Sequence, residues 1–540
     1  MNLHIKGMIA SPGIAIGSAY VYKEVENLKF DEYRKQSVEQ EILNFHHAIL
    51  RSRVSIQKLI CQANQTKNDE QAHIFEAQLQ LLEDPTIIEE AKKVILNSDK
   101  SAPFVLQMIR DELVSTFLSM NDEYMRERSQ DLLDVTNRII KYLIGVTDAP
   151  IRLPEKSILV ADNLTPSMTA SLDPEKVLGI VTYAGGVTSH TAILARSLGI
   201  PALVGVKIAG QVQTGDVVIV DAQNGEVMIN PTQSELKTYQ EQFQEIINKE
   251  AFYQQLSTKE AILPSGEQVT LLANIGVPNE VQKALAFGAE GIGLFRSEFL
   301  FMDCTEAPNE EEQFQAYKSV VSAMNGQPVT IRTLDIGGDK NIPYLNLPKE
   351  ENPFLGYRAI RICLQEKVLF QTQLRALLRA SYYGKLKILI PLITSVEELL
   401  QTKEMLMQEE AHLKAEGHEV GQYELGIMIE TPASVFIAKE LAAHCDFFSI
   451  GTNDLIQYLL VVDRMNENIA QYYNPMHPAV LAAIEQVIHV GREAGIEVCM
   501  CGEMASDQHA TATLLELGLR SFSMSPSTIP KVKDVILNYE

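Results

Sequence analysis

The sequence predicts a multidomain α/β protein, in which an α/β domain with an inserted helical bundle precedes a (β/α)8 barrel of the TIM type. Three observations support this prediction. The chain of 540 residues exceeds what one hydrophobic core usually holds. Residues 31–143 carry apolar side chains at helical spacing, with few glycines or prolines. The last stretch of about 280 residues carries β-like apolar runs at helix-sized intervals, as barrels do.

The first domain is predicted to be discontinuous in the chain. Its first twenty residues are expected to form a turn and a short strand. Apolar runs typical of an α/β domain appear again only after residue 150. Residues 1–21 plus 147–231 are therefore assigned to one α/β domain, and residues 22–146 to a helical insertion. Within the second part, one helix is expected over residues 191–198. The strands of that part are expected over residues 157–160, 177–183 and 217–220.

A helical linker and a barrel are predicted to follow. Residues 232–262 are polar and contain no glycine or proline, which is typical of a helical linker. Residues 263–540 are assigned to the (β/α)8 barrel. Its eight strands are expected over residues 269–274, 291–295, 329–334, 386–393, 425–430, 447–451, 497–501 and 521–525.

Composition limits the partners and the location. The net charge of −24 argues against nucleic acid and against anionic membrane, because both attract positively charged proteins. A basic protein partner fits this charge better. The six cysteines have no paired spacing, no apolar run is long enough to span a membrane, and the N-terminus has no signal-peptide pattern. We therefore expect a cytoplasmic protein without membrane insertion.

Polar residues stand at the carboxyl ends of the predicted barrel strands, where barrels place their catalytic groups. A further arginine, Arg358, lies in the long connection after the third strand. Several guanidinium groups at one barrel mouth suit a small polyanion, although each arginine alone could pair with a surface carboxylate. Glu430 and Asp454 offer the oxygen ligands that Mg²⁺ prefers. The residues at or just after strand ends are Arg296, Arg332, Glu430, Asn453, Asp454 and Cys501.

A second cluster, residues 185–193 (GGVTSHTAI), lies between a predicted strand and the helix that follows it. The glycines permit a tight turn, and Thr188 or Ser189 can cap the helix. His190 would then lie in the first helical turn, where free amides favour a bound anion. Spacing alone does not separate this role from that of an incidental histidine.

Several long motifs resemble known sequences. Residues 185–204 resemble the phosphohistidine segment of the family that includes Enzyme I, phosphoenolpyruvate synthase and pyruvate phosphate dikinase. Further segments resemble Enzyme I of the phosphoenolpyruvate-dependent sugar phosphotransferase system, and the resemblance runs from about Met8 to the C-terminus. They are GIGLFRSEFLFMD (291–303), IRTLDIGGDK (331–340), ENPFLGYRAIRI (351–362), FFSIGTNDLIQ (447–457) and MCGEMA (500–505).

The resemblance implies a phosphotransferase with a swivelling phosphohistidine α/β domain. It implies that His190 receives the phosphoryl group of phosphoenolpyruvate, and that Cys501 protonates the enolate that remains; a buried, inert thiol is the alternative for Cys501. The residues implied to bind phosphoenolpyruvate are Arg296, Arg332, Asn453, Asp454 and Arg464, and Arg358 joins them as a candidate. Glu430 and Asp454 resemble the Mg²⁺ ligands of the family.

The helical insertion resembles the family's docking domain for the histidine-containing phosphocarrier protein. Glu76, Glu83 and Asp84 in IFEAQLQLLED and Arg126 in NDEYMRER match the contact region, with a merely solvated acidic face as the alternative. The family also implies a homodimer through the barrel. The chain ends at Glu540, earlier than many members, which leaves the strength of that dimer open.

One position departs from the family pattern. Val187 stands where Enzyme I sequences usually carry arginine, so one positive group near His190 is missing. The rival functions are an ATP-using relative, for which no glycine-rich phosphate loop is present, and a regulatory protein that senses phosphoenolpyruvate without transferring its phosphoryl group.

Overall fold

The chain divides into two compact units, Met1–Ile247 and Asn248–Glu540. The first is a mixed α/β unit and the second contains a closed barrel, so the predicted fold class is confirmed. The structure, a computed structural model, describes residues 3–22, 29–65, 69–119, 123–146, 151, 153–169, 172–187, 189–208, 210–302, 304, 306–338, 340, 342–345 and 347–539.

Eight strands of the first unit, within the residues described, form one sheet in the order β1-β8-β7-β3-β4-β5-β6-β2. The N-terminal strand β3 pairs in parallel with β4 and antiparallel with β7, as expected for a domain interrupted by an insertion. The strands are β1 (Leu3–Lys6), β2 (Met8–Ser11), β3 (Ile14–Tyr22), β4 (Ser157–Ala161), β5 (Val177–Thr182), β6 (Ala202–Val204), β7 (Val217–Asp221) and β8 (Glu226–Ile229).

The helices of this unit form the inserted bundle and flank the sheet. Large apolar side chains such as Phe45, Ile56, Phe75 and Ile95 are fully buried between the bundle helices, as the helical spacing predicted. The helices are α1 (Val38–Gln65), α2 (Asp69–Leu82), α3 (Pro85–Asn97), α4 (Ala102–Ser119), α5 (Glu123–Leu143), α6 (Pro166–Thr169), α7 (His190–Leu198) and α8 (Gln233–Leu256).

The second unit is built on a closed barrel of parallel strands, which are buried on both faces and therefore read as short apolar runs. Each strand overlaps one of the predicted runs. The strands are β9 (Thr270–Ile275), β10 (Ile292–Arg296), β11 (Val329–Arg332), β12 (Leu386–Ile390), β13 (Tyr423–Ile429), β14 (Phe447–Ile450), β15 (Glu497–Met500) and β16 (Ser521–Met524).

Helices connect these strands and follow local sequence rules. The helix Pro478–Ala494, for example, has proline in its first turn, is capped by the His477 side chain, and ends at Gly495 in the left-handed conformation. The helices are α9 (Val281–Ala286), α10 (Phe299–Met302), α11 (Glu310–Ala323), α12 (Ile360–Gln365), α13 (Lys367–Ala380), α14 (Val396–Ala415), α15 (Pro432–Phe436), α16 (Ala438–Ala442), α17 (Thr452–Leu460), α18 (Pro478–Ala494), α19 (Gln508–Glu516) and α20 (Ile529–Leu537). Among the described residues, none of these helices or those of the first unit combines the length and apolar character needed to cross a bilayer.

Candidate active site

His190 is the first residue of α7, directly after a glycine-containing turn that follows β5. Gly185 in this turn has a φ of +105°, a conformation that favours glycine. Ser189 caps the helix, because its side chain accepts a hydrogen bond from the Ala192 amide at 3.4 Å. His190 therefore lies in the first helical turn, where unpaired helical amides favour a negative group.

The His190 ring faces the inserted bundle. Its Nε2 atom lies 3.9 Å from Oδ1 of Asp131 on α5, and the side chain remains 21% exposed. Asp131 is itself held by the buried Gln78 amide at 3.2 Å, and the same amide binds Asp134 at 3.1 Å. A ring nitrogen of His190 thus lies near the Asp131 carboxylate, which is held in place by a hydrogen bond from Gln78.

Val187 is exposed and its carbonyl oxygen accepts a hydrogen bond from the Arg196 guanidinium at 2.9 Å. Arg196 also donates to the Ala10 carbonyl at 3.1 Å. A guanidinium group from α7 therefore contacts the backbone of this turn, although position 187 is not arginine. Thr188, the other predicted cap, lies outside the described residues.

A second candidate site is a cavity of about 550 Å³ within the barrel unit, into which the carboxyl ends of several strands project. Its lining includes every barrel residue that the sequence predicted as a site residue. These are Arg296, Arg332, Arg358, Glu430, Asn453, Asp454, Arg464 and Cys501.

The cations of this cavity are held in an alternating network of charges. Arg332 lies 2.9 Å from Asp335, and Asp335 lies 3.0 Å from Arg358. Arg358 in turn lies 3.0 Å from Asp454, which lies 3.8 Å from Arg464. Burial alone would raise the pKa of Asp335, but the neighbouring Arg332 and Arg358 hold this pKa well below its usual range. Carboxylates of the chain therefore orient Arg332, Arg358 and Arg464 within the cavity.

The sequence analysis predicted no role for three members of the network, Glu298, Asp335 and Lys340. Lys340 lines the cavity and contacts Glu298 at 2.7 Å and Asp335 at 3.6 Å. Glu298 is fully buried and contacts Arg332 at 2.5 Å. All three lie inside the segments 291–303 and 331–340, so their position in these motifs was the available signal.

Glu430 and Asp454 bring two carboxylates to the same cavity. Burial, followed by the nearby charges of Asp454 and Asp335, raises the pKa of Glu430 to about 8. One Glu430 oxygen accepts the Leu392 amide at 2.7 Å, and a side chain at Gly451 would come within 2.9 Å of the other. Asp454 Oδ1 is buried without a hydrogen-bond partner among the described residues.

This pair fits a divalent cation that also uses water and substrate oxygens, as Mg²⁺ does. A bound cation would relieve the repulsion between the carboxylates and provide a partner for Asp454 Oδ1. The described residues contain no group of three or more His, Cys, Asp or Glu side chains that could hold a metal ion alone.

Cys501 follows β15 and lies over the apolar side chains inside the barrel, among them Leu294 and Met428. It is 3% exposed, and its sulfur accepts a hydrogen bond from Ser449 at 3.1 Å. Burial raises the pKa of the Cys501 thiol. The group therefore keeps its proton at neutral pH and can act as an acid.

Asn453 is fixed at the rim of the cavity. Its side chain donates to Glu503 at 3.1 Å and accepts the Glu503 amide at 2.9 Å. The Tyr473 hydroxyl donates to the Asn453 backbone carbonyl at 3.4 Å. These bonds connect the start of α17, which follows β14, to the segment that follows β15.

The predicted docking residues lie on or between helices of the inserted bundle. Glu76 and Glu83 are exposed, and Glu83 pairs with Arg53 at 3.1 Å. Asp84 is half-buried and caps α3 by accepting the Thr86 amide at 2.8 Å, so it has a structural role as well. The Arg126 side chain lies outside the described part of the structure.

Three protein-family models match this chain. Residues 250–540 match the model described as "PEP-utilising enzyme, PEP-binding domain". Residues 6–128 match "PEP-utilising enzyme, N-terminal", and residues 153–225 match "PEP-utilising enzyme, mobile domain".

Individual relatives align over almost the whole chain. The phosphoenolpyruvate-protein phosphotransferase of Staphylococcus carnosus is 45% identical over 99% of this chain and 94% of its own length. That of Listeria monocytogenes is 46% identical over the same shares of the two chains. A solution structure described as Enzyme I (nEIt) is 40% identical, covers 45% of this chain and 99% of its own, and has a TM-score of 0.39.

Proposed function

Because this chain belongs to the family of phosphoenolpyruvate-utilising enzymes, and within it to the phosphoenolpyruvate-protein phosphotransferases, we propose that it performs the first step of the sugar phosphotransferase system. In this reaction the phosphoryl group of phosphoenolpyruvate passes to His190 and then to a histidine-containing phosphocarrier protein, and pyruvate is released. The observation that carries the proposal is the barrel cavity, where fixed arginines, two carboxylates and a protonated thiol meet.

The arginines bind the substrate in this proposal. Arg296, Arg332, Arg358 and Arg464 offer planar donor groups to the carboxylate and phosphoryl oxygens of phosphoenolpyruvate. Asn453 adds a polar contact at the rim. Because the ion pairs already orient Arg332 and Arg358, little reorganisation is needed when the bond from phosphorus to the bridging oxygen breaks and negative charge builds up on that oxygen.

Glu430 and Asp454 would hold Mg²⁺ beside the substrate. The bound ion would neutralise charge on the phosphoryl and enolate oxygens during the transfer. The chain's own contribution is to orient the two carboxylates, through the Leu392 amide for Glu430 and Arg358 for Asp454. No third protein ligand is needed, because Mg²⁺ commonly retains waters and takes substrate oxygens.

The transfer forms one bond and breaks another. A neutral ring nitrogen of His190 attacks phosphorus, the bond from phosphorus to the bridging oxygen breaks, and the bonding electrons remain on the enolate of pyruvate. The Cys501 thiol then gives its proton to the methylene carbon of the enolate, which yields pyruvate and a thiolate. The carrier's histidine finally takes the phosphoryl group from His190.

The domain roles and the assembly are part of the same proposal. Residues 1–21 plus 147–231 form the swivelling phosphohistidine domain, 22–146 the carrier-docking insertion, 232–262 the linker and 263–540 the substrate barrel. A homodimer through the barrel, supported by the family, and a cytoplasmic location, supported by the six cysteines without paired spacing, complete it.

Labelling with radioactive phosphoenolpyruvate tests the proposed function. With Mg²⁺ present, we expect an acid-labile label on the protein and release of pyruvate, because phosphohistidine is unstable in acid. A chelator should prevent both, and added Mg²⁺ should restore them, since Glu430 and Asp454 need a cation to share the cavity with an anion. Thermal stabilisation by phosphoenolpyruvate without any label would instead favour a sensor that transfers nothing.

Charge reversal in the insertion tests carrier docking. The Glu76→Lys, Glu83→Lys double variant should raise the KM for the phosphocarrier and weaken its salt dependence, because complementary charge mainly steers encounter. Asp84 is left unchanged because it caps α3. Self-labelling by phosphoenolpyruvate should be unaffected, since it needs no carrier.

The matched control reverses Glu241 and Glu245 on the exposed face of α8, outside the insertion, with the same change of net charge. Equal carrier kinetics in both double variants would show that only the net charge matters and that the predicted docking residues have no local role.

A further inference from the structure

Glu298 lies outside the lining of the barrel cavity and contacts two cations that belong to the lining. It is 0% exposed, and its Oε1 atom contacts Arg332 at 2.5 Å and Lys340 at 2.7 Å. Its other oxygen, Oε2, is buried without a hydrogen-bond partner among the described residues. A buried carboxylate is costly unless paired, so Glu298 and its two cations form one electrostatic unit.

This unit is joined to rigid parts of the barrel. Ser297, the preceding residue, donates a hydrogen bond to the Arg332 carbonyl at 2.6 Å. The Gln373 side chain donates to Ser297 at 3.0 Å and also accepts the Leu334 amide at 2.9 Å. The ends of β10 and β11 are therefore held in register, and Glu298 is held with them.

The carboxylate also sets the amount of positive charge that faces the cavity. Lys340 and three of the arginines that line the cavity each have a carboxylate within 4 Å. A substrate anion therefore meets oriented donors whose charge is already largely balanced. Glu298 Oε1 and Asp335 Oδ2 each contact both Arg332 and Lys340, but Asp335 lines the cavity whereas Glu298 lies outside its lining.

We propose that Glu298 is a positioning residue, which aims Arg332 and Lys340 into the cavity and limits how tightly they hold an anionic substrate. The inference rests on the proposed function of the cavity. An enzyme gains rate only from interactions that are stronger in the transition state than in the ground state. A cavity with excess positive charge would bind phosphoenolpyruvate more tightly without stabilising the transition state to the same extent.

The Glu298→Gln variant tests this role because it preserves shape and removes one negative charge. We expect the KM for phosphoenolpyruvate to fall, because Arg332 and Lys340 gain free positive charge. The kcat should fall by about tenfold to a hundredfold, the scale seen when a reacting group is slightly misplaced. A purely structural residue would raise KM or lower the melting temperature without tightening substrate binding.

Two further variants make the test specific. Glu298→Gln with Lys340→Met removes one charge of each sign, and its KM should return toward the wild-type value while kcat stays low. Glu409→Gln is the matched control, since Glu409 is 4% exposed and pairs with Arg375 at 3.5 Å but does not line the cavity. It should change neither constant.

The outcomes separate this inference from the proposed function. Absence of label on the wild-type chain would contradict the function itself. A labelled wild type together with a Glu298→Gln variant whose KM is unchanged or raised, or whose constants match those of Glu409→Gln, would overturn the role of Glu298. If Glu298→Gln does not fold, the charge-balanced double variant decides, since an unchanged kcat there would equally overturn it.

Discussion

The His190→Ala variant is expected to take up no label from phosphoenolpyruvate, while its fold and its substrate binding remain intact. The imidazole is the only group that the alanine removes, and the helix keeps its Ser189 cap and its first-turn amides. The barrel cavity contains none of the altered atoms, so phosphoenolpyruvate should still raise the melting temperature of the variant. Loss of label should therefore be complete, below the detection limit of the assay.

His477→Ala provides the matched control for this experiment. His477 also stands at the start of a helix, where it caps α18 by accepting the Ala479 amide at 3.1 Å. The control should keep its label, although loss of a cap costs about 1 kcal/mol of stability. Label that persists in His190→Ala would mean that another nucleophile receives the phosphoryl group.

The barrel was predictable from the sequence because its strands are buried on both faces. Runs such as 386–393 and 447–451 have no alternation, and each is followed by a segment long enough for a helix. The residues at which the predicted strands end were harder to predict. The run 386–393 was predicted as strand throughout, yet β12 ends at Ile390, and Leu392 has a φ of +57° where its amide turns to bind Glu430.

The first unit was harder to predict because several of its strands are short. β6 has 3 residues and β8 has 4, so neither carries enough alternation to separate a strand from a loop. The first twenty residues were predicted as one short strand, but they form β1, β2 and β3. Their assignment to the sheet follows from pairing with β6, β7 and β8, which lie distant in sequence.

Some residues of the candidate site could be predicted from the sequence, and others could not. Residues such as Arg296 and Cys501 stand at strand ends, where topology alone indicates a shared cavity. Glu298 and Asp335 act on other side chains, and their role depends on distances that sequence order does not provide. His190 was assigned by resemblance of its segment to a known family, because a histidine at a helix start has no distinctive spacing.

Cys501 has an environment suited to an acid that acts on carbon. Its sulfur lies over apolar side chains that include Leu389 and Phe447, and Ser449 donates to it at 3.1 Å. Water is therefore disfavoured as the proton source at this point of the cavity. The neighbouring Cys499 is also buried, but it lies outside the cavity lining.

The Cys501→Ala variant should lose turnover by about 100-fold or more, the usual contribution of a positioned general acid. The KM for phosphoenolpyruvate should change little, because the arginines that bind it are untouched and the thiol acts only once the enolate has formed. Cys499→Ala, a thiol removed two residues away, should behave as the wild type. An unaltered rate in Cys501→Ala would show that water or another group donates the proton.

The pH dependence of the wild-type enzyme provides a second measure of the same thiol. Proton donation requires the protonated form, so kcat should fall as pH rises through the thiol pKa in the substrate complex. Burial raises that pKa, and the fall should therefore begin above about pH 8.5, the value of an ordinary cysteine. In Cys501→Ala this alkaline fall should disappear together with most of the rate. If the variant is slow but keeps the same alkaline profile, the titrating group is not Cys501, and its slowness must come from altered packing inside the barrel.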